Sequence, residues 1–414
     1  MTESLRNFIR EHLEDDPSEL LLHAARYSDV DVNVAIVQIK ARLRVKDKLP
    51  TWFLNDRLIF PSTLASEQCS SEITASYKQR LVQYNDFVCD LTGGLGVDTC
   101  FFAQKVRRTT YIEQDETCCN AGRNNFPLLG FSAIQIIHGD AVAMIANNDE
   151  RIGGANVFYM DPARRGENNK RLYAISDCEP DPMKIIPLLP KPYRIIVKLS
   201  PMLDVKQAIK QIPGVCEVHI VSVKNDCKEL LVVAEGLPES VKNSLPDNEL
   251  VGFMPQHKYD PEIFCVNYVT DRTEQSFRFY LQEEKDAIVQ FSKRMGRYLY
   301  EPDASVLKAG AYKSVVARYD VEKLHANSHL YTSDRLLNSF SGRKFEIIAI
   351  IPFSTRICKT LHVDIPKANI AVRNFPLSAD ELRKRTQISD GGEIYLFATT
   401  LSDNQKTLIK CRKI

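Results

Sequence analysis

The chain has 414 residues and a formal net charge of +1, and this length exceeds what one hydrophobic core usually organises, so we expect two to four domains. Hydrophobic residues make up 44% and charged residues 26%, which excludes a disordered or fibrous chain and is typical of a soluble globular protein. There is no apolar run of about eighteen residues and no basic segment followed by an apolar one at the start, so the sequence predicts neither a membrane span nor a signal peptide. The eleven cysteines form no Cys-x-x-Cys pair, which indicates reduced thiols in the cytoplasm and no structural metal.

The first part of the chain, residues 1–80, is predicted to be helical. Apolar residues recur at helical spacing near the start, and Asp16 followed by Pro17 is a favourable helix start. The single tryptophan, Trp52, is most simply a packing anchor, although it could also stack on a base.

A glycine turn follows the next strand-like run. Residues 87–89 are apolar and precede a carboxylate, and residues 99–105 are compatible with a helix. Between them, three glycines stand within four positions: Gly93, Gly94 and Gly96. Glycine lets the backbone adopt positive φ and lets a ligand approach closely, while the following helix presents unpaired N–H groups. The stretch predicts a site for a nucleotide-like cofactor, and a turn that serves only packing is the alternative.

Four consecutive strands are predicted to end in carboxylates. Three further strand-like runs cover residues 109–112, 133–137 and 156–160. The carboxylates at or just beyond the ends of the four strands are Asp90, Glu113, Asp140 and Asp161. Open α/β sheets bind ligands at this edge, so we expect the four side chains to share one site.

The later strands distinguish two classes of cofactor. Residues 193–199, 216–223 and 230–234 are strand-like, and only six residues join the last two. Such a short link cannot hold a crossover helix, so these strands are predicted to form an antiparallel hairpin. A nicotinamide-dependent oxidoreductase would not need this hairpin.

A parallel sheet closed by an antiparallel hairpin resembles the class I S-adenosylmethionine (SAM) dependent methyltransferases. The resemblance covers about residues 60–238 and depends on Asp-x-x-Gly-Gly-x-Gly, Glu113, Asp140 and Asp161-Pro162 in that order. It implies a Rossmann-like, seven-stranded α/β sheet, and SAM as the cofactor. The cofactor-binding residues that it implies are Asp90, Thr92, Gly93, Gly94, Gly96, Glu113 and Asp140.

Each of these residues receives a role from the resemblance. The glycine turn would lie against the methionine part and ribose of SAM, and Asp90 would lie near the methionine ammonium. Glu113 would bind the ribose hydroxyls and Asp140 the adenine amine. The upstream residues 66–74 look like a polar segment that covers the amino-acid end of SAM, and a helix start capped by Ser70 or Ser71 is an equally good interpretation.

The catalytic residues that the resemblance implies are Asp161, Pro162 and Arg164. In relatives that methylate amino groups, Asp-Pro is followed by another proline and an aromatic residue, whereas this chain has Asp161-Pro162-Ala163-Arg164. The arginine, or Arg165, could stack on a flipped base or bind a phosphate. A similar motif occurs in enzymes that methylate uridine carbon 5 through a cysteine adduct, but residues 198–201 contain no cysteine, so nitrogen methylation is the better hypothesis.

The last part of the chain is basic and has a mixed pattern. Residues 341–414 carry a net charge of +6 and the rest of the chain carries −5. One helix is predicted at residues 378–385, with Ser378 and Glu381 as a capping box, followed by a turn at residues 391–392. Residues 368–376 and this helix resemble a THUMP-like domain, and the region around residues 301–310 resembles a ferredoxin-like domain. We expect this part to dock structured RNA, and a stabilising domain or a dimer surface is the alternative.

The predicted domain division has five parts. They are an N-terminal helical region (1–80), a SAM-dependent methyltransferase domain (81–238), a linker (239–261), a ferredoxin-like α+β domain (262–338) and a THUMP-like domain (339–414). The first hypothesis is a cytoplasmic methyltransferase that modifies a base nitrogen in tRNA or rRNA, with no metal and no membrane partner. The alternatives are a methyltransferase of a small molecule or protein and a catalytically silent RNA-binding protein; the oligomeric state stays open.

Overall fold

The computed structural model describes residues 1–164, 175–236 and 260–414. The strands are β1 Phe87–Asp90, β2 Arg108–Glu113, β3 Gln135–His138, β4 Val157–Met160, β5 Ala163–Arg164, β6 Cys178–Glu179, β7 Tyr193–Leu199, β8 Val215–Val223, β9 Asp226–Gly236, β10 Glu262–Thr270, β11 Thr273–Tyr280, β12 Tyr298–Pro302, β13 Glu322–Lys323, β14 Tyr331–Ser333, β15 Gly342–Pro352, β16 Lys367–Arg373, β17 Ser389–Thr400 and β18 Lys406–Lys413.

The α-helices are α1 Glu3–Glu11, α2 Pro17–Leu22, α3 Val32–Val45, α4 Pro50–Phe53, α5 Thr63–Gln68, α6 Glu72–Lys78, α7 Val97–Ala103, α8 Glu116–Leu128, α9 Ala141–Ala146, α10 Pro182–Ile185, α11 Val205–Gln211, α12 Leu281–Asp286, α13 Ala304–Ala309, α14 Ser314–Tyr319, α15 Thr355–Asp364 and α16 Ala379–Thr386. Short 3₁₀ helices cover Ala24–Arg26, Gln79–Leu81, Glu150–Ile152, Ile175–Asp177 and Ile186–Leu188.

The described residues fall into two units by their internal contacts. The first runs from Met1 to Cys216 and resumes at Leu231, and the second comprises Glu217–Leu230 and the C-terminal part of the chain. The five-part division made from the sequence stays a prediction, and most of its linker lies outside the described residues.

In the first unit, the parallel strands β7, β4, β1, β2 and β3 form a sheet that continues with β9 beside β7. Its strands lie in the order β9, β7, β4, β1, β2, β3. Strand β1 pairs in parallel with β2 on one side and with β4 on the other. The chain leaves β1 toward β2 and β3 and then returns to β4 on the opposite side, so the carboxyl end of β1 is a topological switch point, where such sheets bind ligands.

The predicted hairpin is formed by β8 and β9, which are neighbours in the sheet order. Two residues, Lys224 and Asn225, connect them, and both have positive φ (53° and 62°). Positive φ at both central positions is the signature of a type I′ turn, whose twist matches that of the flanking strands. The link is therefore shorter than the six residues expected, because β9 begins already at Asp226.

The C-terminal half of α3 and helix α4 pack into the same core as the glycine turn, whereas α1 and α2 pack with the first half of α3 in a separate cluster. Val45 of α3 and Trp52 of α4 are buried in one hydrophobic cluster with Leu95, Tyr111 and Phe126. Trp52 is only 3% exposed, so it is a packing anchor. These helices complete the core of the first unit.

The irregular residues between α4 and α5 are held by polar side chains. The Gln38 amide group bonds both the amide and the carbonyl of Phe60, and Asn125 bonds the amide and the carbonyl of Ile59. The buried Arg42 guanidinium donates to backbone carbonyls between residues 53 and 58. Side chains thus satisfy backbone groups that no strand partner reaches.

The second unit contains a mixed sheet of seven strands in the order β13, β14, β12, β15, β18, β17, β16, and a set of three strands in the order β11, β10, β8. The capping box of Ser378 and Glu381 is present at the start of α16. Helix α15 was not expected from the sequence, and it packs with α16 on one face of the sheet. The predicted turn at residues 391–392 is wrong, because both glycines lie within β17 at a register shift against β16.

Among the described residues, no helix has the length and apolar character that crossing a bilayer requires.

Candidate active site

A cavity of about 550 Å³ lies at the carboxyl ends of β1, β2 and β4, in the size range of small-molecule sites. All seven predicted cofactor residues line it: Asp90, Thr92, Gly93, Gly94, Gly96, Glu113 and Asp140. Asp161 lines it as well. The four strand-end carboxylates therefore share one site.

The glycine turn is fixed by its neighbours. The Gly94 amide donates to Glu113 Oε2 (2.8 Å), and the Tyr111 hydroxyl donates to the Gly94 carbonyl (2.7 Å). A Cβ on Gly93 would lie 2.2 Å from the Tyr111 ring, and a Cβ on Gly96 would lie 2.5 Å from Phe126. Gly96 also has φ +83°, so both sterics and backbone conformation require glycine there.

The Asp90 carboxylate supports the turn from beneath. It is 1% exposed; its Oδ1 accepts the Thr92 amide (3.1 Å) and its Oδ2 accepts the Thr99 hydroxyl (2.5 Å). Burial raises the pKa of Asp90 to about 7, against the opposing effect of these two hydrogen bonds.

A second carboxylate, Asp98, lies in the first turn of α7 and also lines the cavity. Its Oδ1 is 2.9 Å from Lys78 Nζ, and its Oδ2 accepts the hydroxyls of Ser70 (2.8 Å) and Tyr159 (2.7 Å). Burial alone would raise the pKa of Asp98, but Lys78, Lys198 and the Tyr159 hydroxyl outweigh burial and lower it. The side chain of Lys78 is fully buried, so this is an internal ion pair.

Asp161 follows β4 and interacts with both the glycine turn and strand β7. Its amide donates to the Thr92 hydroxyl (2.7 Å), which joins it to the glycine turn. Its Oδ2 is 2.5 Å from Lys198 Nζ on β7. Burial raises the pKa of Asp161, and Lys198 opposes that rise.

The residues after Asp161 form one wall of the site. Pro162 is buried, and Ala163 lines the cavity. The backbone of Ala163 pairs with that of Glu179, and the backbone of Arg164 with that of Cys178. The side chain of Arg164 and the whole of Arg165 lie outside the described residues, so their roles stay predictions.

The polar segment at residues 66–74 contributes both to the cavity and to a helix start, and its expected place over the amino-acid end of SAM stays a prediction. Ser70 lines the cavity, while Ser71 caps α6 by accepting the Thr74 amide. Asp140 likewise lines the cavity and caps α9, where its Oδ1 accepts the amides of Val142 and Ala143.

Sequence reasoning missed Lys78, Asp98 and Lys198. Asp98 could have been noticed as a charged residue in an apolar helical run directly after the last glycine. The two lysines gave no local signal, because their partners lie 20 and 37 residues away in the chain. Among the described residues, no group of three or more His, Cys, Asp or Glu side chains is placed to hold a metal ion.

Two domain families match the C-terminal part of the chain. Residues 298–340 match a ferredoxin-like domain, and residues 342–413 match a THUMP domain-like family. These matches confirm the two domain types expected there.

Relatives match a larger share of the chain. The crystal structure of a presumed methyltransferase from Porphyromonas gingivalis W83 is 35% identical, covers 99% of this chain and 97% of its own, and superimposes with a TM-score of 0.83. An uncharacterized SAM-dependent methyltransferase of Mycobacterium tuberculosis, from strains CDC 1551 and H37Rv, is 22% identical over 333 residues, which are 78% of this chain and 80% of that protein. The chain therefore belongs to the SAM-dependent methyltransferases that carry a ferredoxin-like and a THUMP-like domain, and SAM is its cofactor.

Proposed function

We propose that the protein methylates a base nitrogen in structured RNA, in the cytoplasm. The observation that carries this proposal is the position of Asp161, which lines the cofactor cavity and is bonded through its amide to the glycine turn. When bound, SAM supplies an already activated methyl group, so the protein has to hold the target in line with it. A carboxylate at this position can accept a hydrogen bond from an amino group and orient its lone pair.

The residues around the cavity fit the cofactor. Glu113 accepts the Gly94 amide on Oε2 and the Asp115 amide on Oε1, and a carboxylate has about four acceptor sites, so capacity remains for ribose hydroxyls. Asp140 uses Oδ1 to cap α9, and we assign its Oδ2 to the adenine amine. The turn at Gly93, Gly94 and Gly96 would lie against ribose and methionine.

Asp90 and Thr92 would support the turn that binds the cofactor. Both oxygens of Asp90 accept hydrogen bonds from the chain itself, so Asp90 fixes the turn near the methionine ammonium. Thr92 joins that turn to Asp161 through its hydroxyl. The distance between cofactor and target would then be set by this short chain of bonds.

On the target side, Pro162 lies between the end of β4 and the start of β5. Arg164 would contact the flipped base or a phosphate, because a planar guanidinium can do either. Its backbone is fixed by pairing with Cys178, which supports a role in the cavity wall.

RNA as the substrate is supported by the charge of the THUMP-like part. Residues 341–414 carry a net charge of +6. Helices α15 and α16 pack together, and four basic residues on them are exposed: Arg356, Lys359, Lys384 and Arg385. Phosphate contacts from such side chains supply affinity and register, while the cavity selects the base.

The test is transfer of a radioactive methyl group from SAM to total RNA taken from cells that lack the protein. We expect label in RNA, and chromatography of the digested RNA should show one nucleoside methylated on nitrogen. Label found only in the protein or small-molecule fraction would exclude RNA as the substrate.

A second experiment tests the RNA surface. Replacement of Arg356 and Lys359 by Gln should weaken binding of total tRNA and reduce its salt dependence between about 50 and 200 mM. The matched control is the replacement of Lys206 and Lys210, two exposed lysines on α11. If both double variants bind tRNA as the wild type does, α15 is not an RNA surface.

A further inference from the structure

The ion pair of Lys198 and Asp161 lies where two parallel strands end. Met160 of β4 is in register with Val197 of β7, so the next residue on each strand, Asp161 and Lys198, are neighbours. Lys198 Nζ is 2.5 Å from Asp161 Oδ2, and the side chains are 13% and 33% exposed. Among the described residues, Asp161 Oδ1 receives no hydrogen bond from the protein. One oxygen is thus held by lysine while the other remains available to a ligand.

In the part of the chain that the structure describes, the charged groups that face Asp161 come from four elements. Lys198 lies on β7, Lys78 on α6, Asp98 on α7 and Asp90 at the end of β1. Lys78 forms an ion pair with Asp98. Among the described residues, Lys198 is therefore the cation in direct contact with Asp161.

We propose that Lys198 is a positioning residue that holds Asp161 through Oδ2, directs Oδ1 to the target nitrogen, and sets the charge at the methyl-transfer end of the cavity. This inference rests on the proposed function, in which Asp161 lies at that end. The lysine and the carboxylate together are neutral, so neither charge acts alone on the bound cofactor.

The charge balance has a consequence that needs no RNA to be observed. SAM carries a sulfonium cation, whereas its product S-adenosylhomocysteine (SAH) has a neutral thioether in the same place. Removal of Lys198 makes this end of the cavity one charge more negative, which should favour the cation over the thioether. Removal of the Asp161 charge makes it one charge more positive and should have the opposite effect. Unit charges several ångströms apart in a partly buried site interact strongly enough for about a tenfold change in affinity.

The experiment is calorimetric titration of the full chain with SAM and with SAH at neutral pH. In Lys198→Met, the ratio of the SAH to the SAM dissociation constant should rise about tenfold above the wild-type ratio. Lys198→Arg keeps the charge and should keep the ratio. The matched control is Lys206→Met, which removes an exposed lysine on α11 that does not line the cavity.

The pH dependence of this ratio distinguishes an effect of charge from an effect of packing. In Lys198→Met, protonation of Asp161 as the pH falls should return the ratio toward the wild-type value, because the added negative charge then disappears. Lys206→Met should keep the wild-type ratio at every pH.

Asp161→Asn provides an independent arm if Lys198→Met does not fold. It should lower the ratio of the SAH to the SAM dissociation constant, and the double variant should lie between the two single variants. SAM binding with an unchanged ratio in the folded single variants would overturn the inference. Absence of SAM binding in the wild type would instead overturn the assignment of the cavity as the cofactor site.

Discussion

On the β1 and β2 side of the cavity, backbone amides and aromatic rings fix the glycine turn, whereas on the β4 and β7 side a long lysine side chain holds Asp161. The first side consists of short contacts that leave no room for a Cβ on Gly93 or Gly96. The second side can adjust, because a lysine has four rotatable side-chain bonds. The difference suits two kinds of ligand: a cofactor that is the same in every turnover, and a target that must enter, be oriented and leave.

The largest effect on activity should come from substitution of Asp161, on the β4 and β7 side of the cavity. Asp161→Ala removes the proposed acceptor for the target nitrogen, and we expect turnover to fall about a thousandfold, which corresponds to about 4 kcal/mol. SAM binding should persist within about tenfold, since the glycine turn is intact. Methyl-transfer kinetics and calorimetry measure the two effects separately, with Asp204→Ala at the exposed start of α11 as the control. Normal turnover would show that Asp161 does not orient the target.

On the β1 and β2 side of the cavity, substitution of a glycine should lower the stability of the protein. Gly93→Ala places a methyl group within the Tyr111 ring, which is fully buried and cannot move aside, so the free energy of unfolding should fall by about 3 kcal/mol. Gly94→Ala is the matched control in the same turn, because the nearest atom to its Cβ is 3.9 Å away. Its positive φ of 53° should cost about 1 kcal/mol. If Gly93→Ala and Gly94→Ala lose the same free energy of unfolding in urea, the contact with Tyr111 is not the cause of the loss.

Asp90, at the end of β1, should make the free energy of unfolding depend on pH. Its pKa is raised in the folded chain to about 7 from 3.8, so the folded state binds the proton more tightly than the unfolded state does. The Asp90 contribution to stability is therefore fully present below the unfolded pKa and is lost as the pH rises through the folded one. Between about pH 4.5 and 6.5 the wild type should lose about 2 kcal/mol relative to Asp90→Asn. Parallel curves for the two proteins in denaturant unfolding would contradict this assignment.

The smallest effect concerns the link between β1 and β2. Glu113→Gln replaces one of two acceptors by a donor, so either the Gly94 or the Asp115 amide loses its partner, at a cost of about 1 kcal/mol in stability. Glu116→Gln, in the exposed first turn of α8, is the control and should unfold at the wild-type temperature. A Glu113→Gln variant as stable as this control would show that the carboxylate does not hold the turn.

Local patterns predicted much of this architecture. Strand β7 has the predicted bounds, and the glycine turn lies between β1 and α7 as expected. Asp16 and Ser378 cap helices where the sequence placed helix starts. Such features depend on neighbouring residues, which is why sequence reasoning reached them.

Features that depend on distant partners were not reached. Lys78 reads as an ordinary charged helix residue, and only the fold shows that it is buried against Asp98. The parallel pairing of β10 with β8 joins segments that are more than forty residues apart, and nothing in either segment specifies its partner. Helix α15 was missed because its apolar residues are few, and its start is marked only by the Ser354 cap.

The hydrogen bonds from the side chains of Gln38, Arg42 and Asn125 to residues 53–60 limit where the chain can be truncated. They hold the chain that leads into α5, and Leu64, Ala65 and Gln68 of that helix line the cavity. Truncation at residue 80 would therefore remove a wall of the cavity and would expose Leu95 and Tyr111, which are buried in one cluster with Val45 and Trp52. A minimal catalytic fragment has to begin at or before α3. For the same reason, the N-terminal helices could not be exchanged between relatives without the core that they complete.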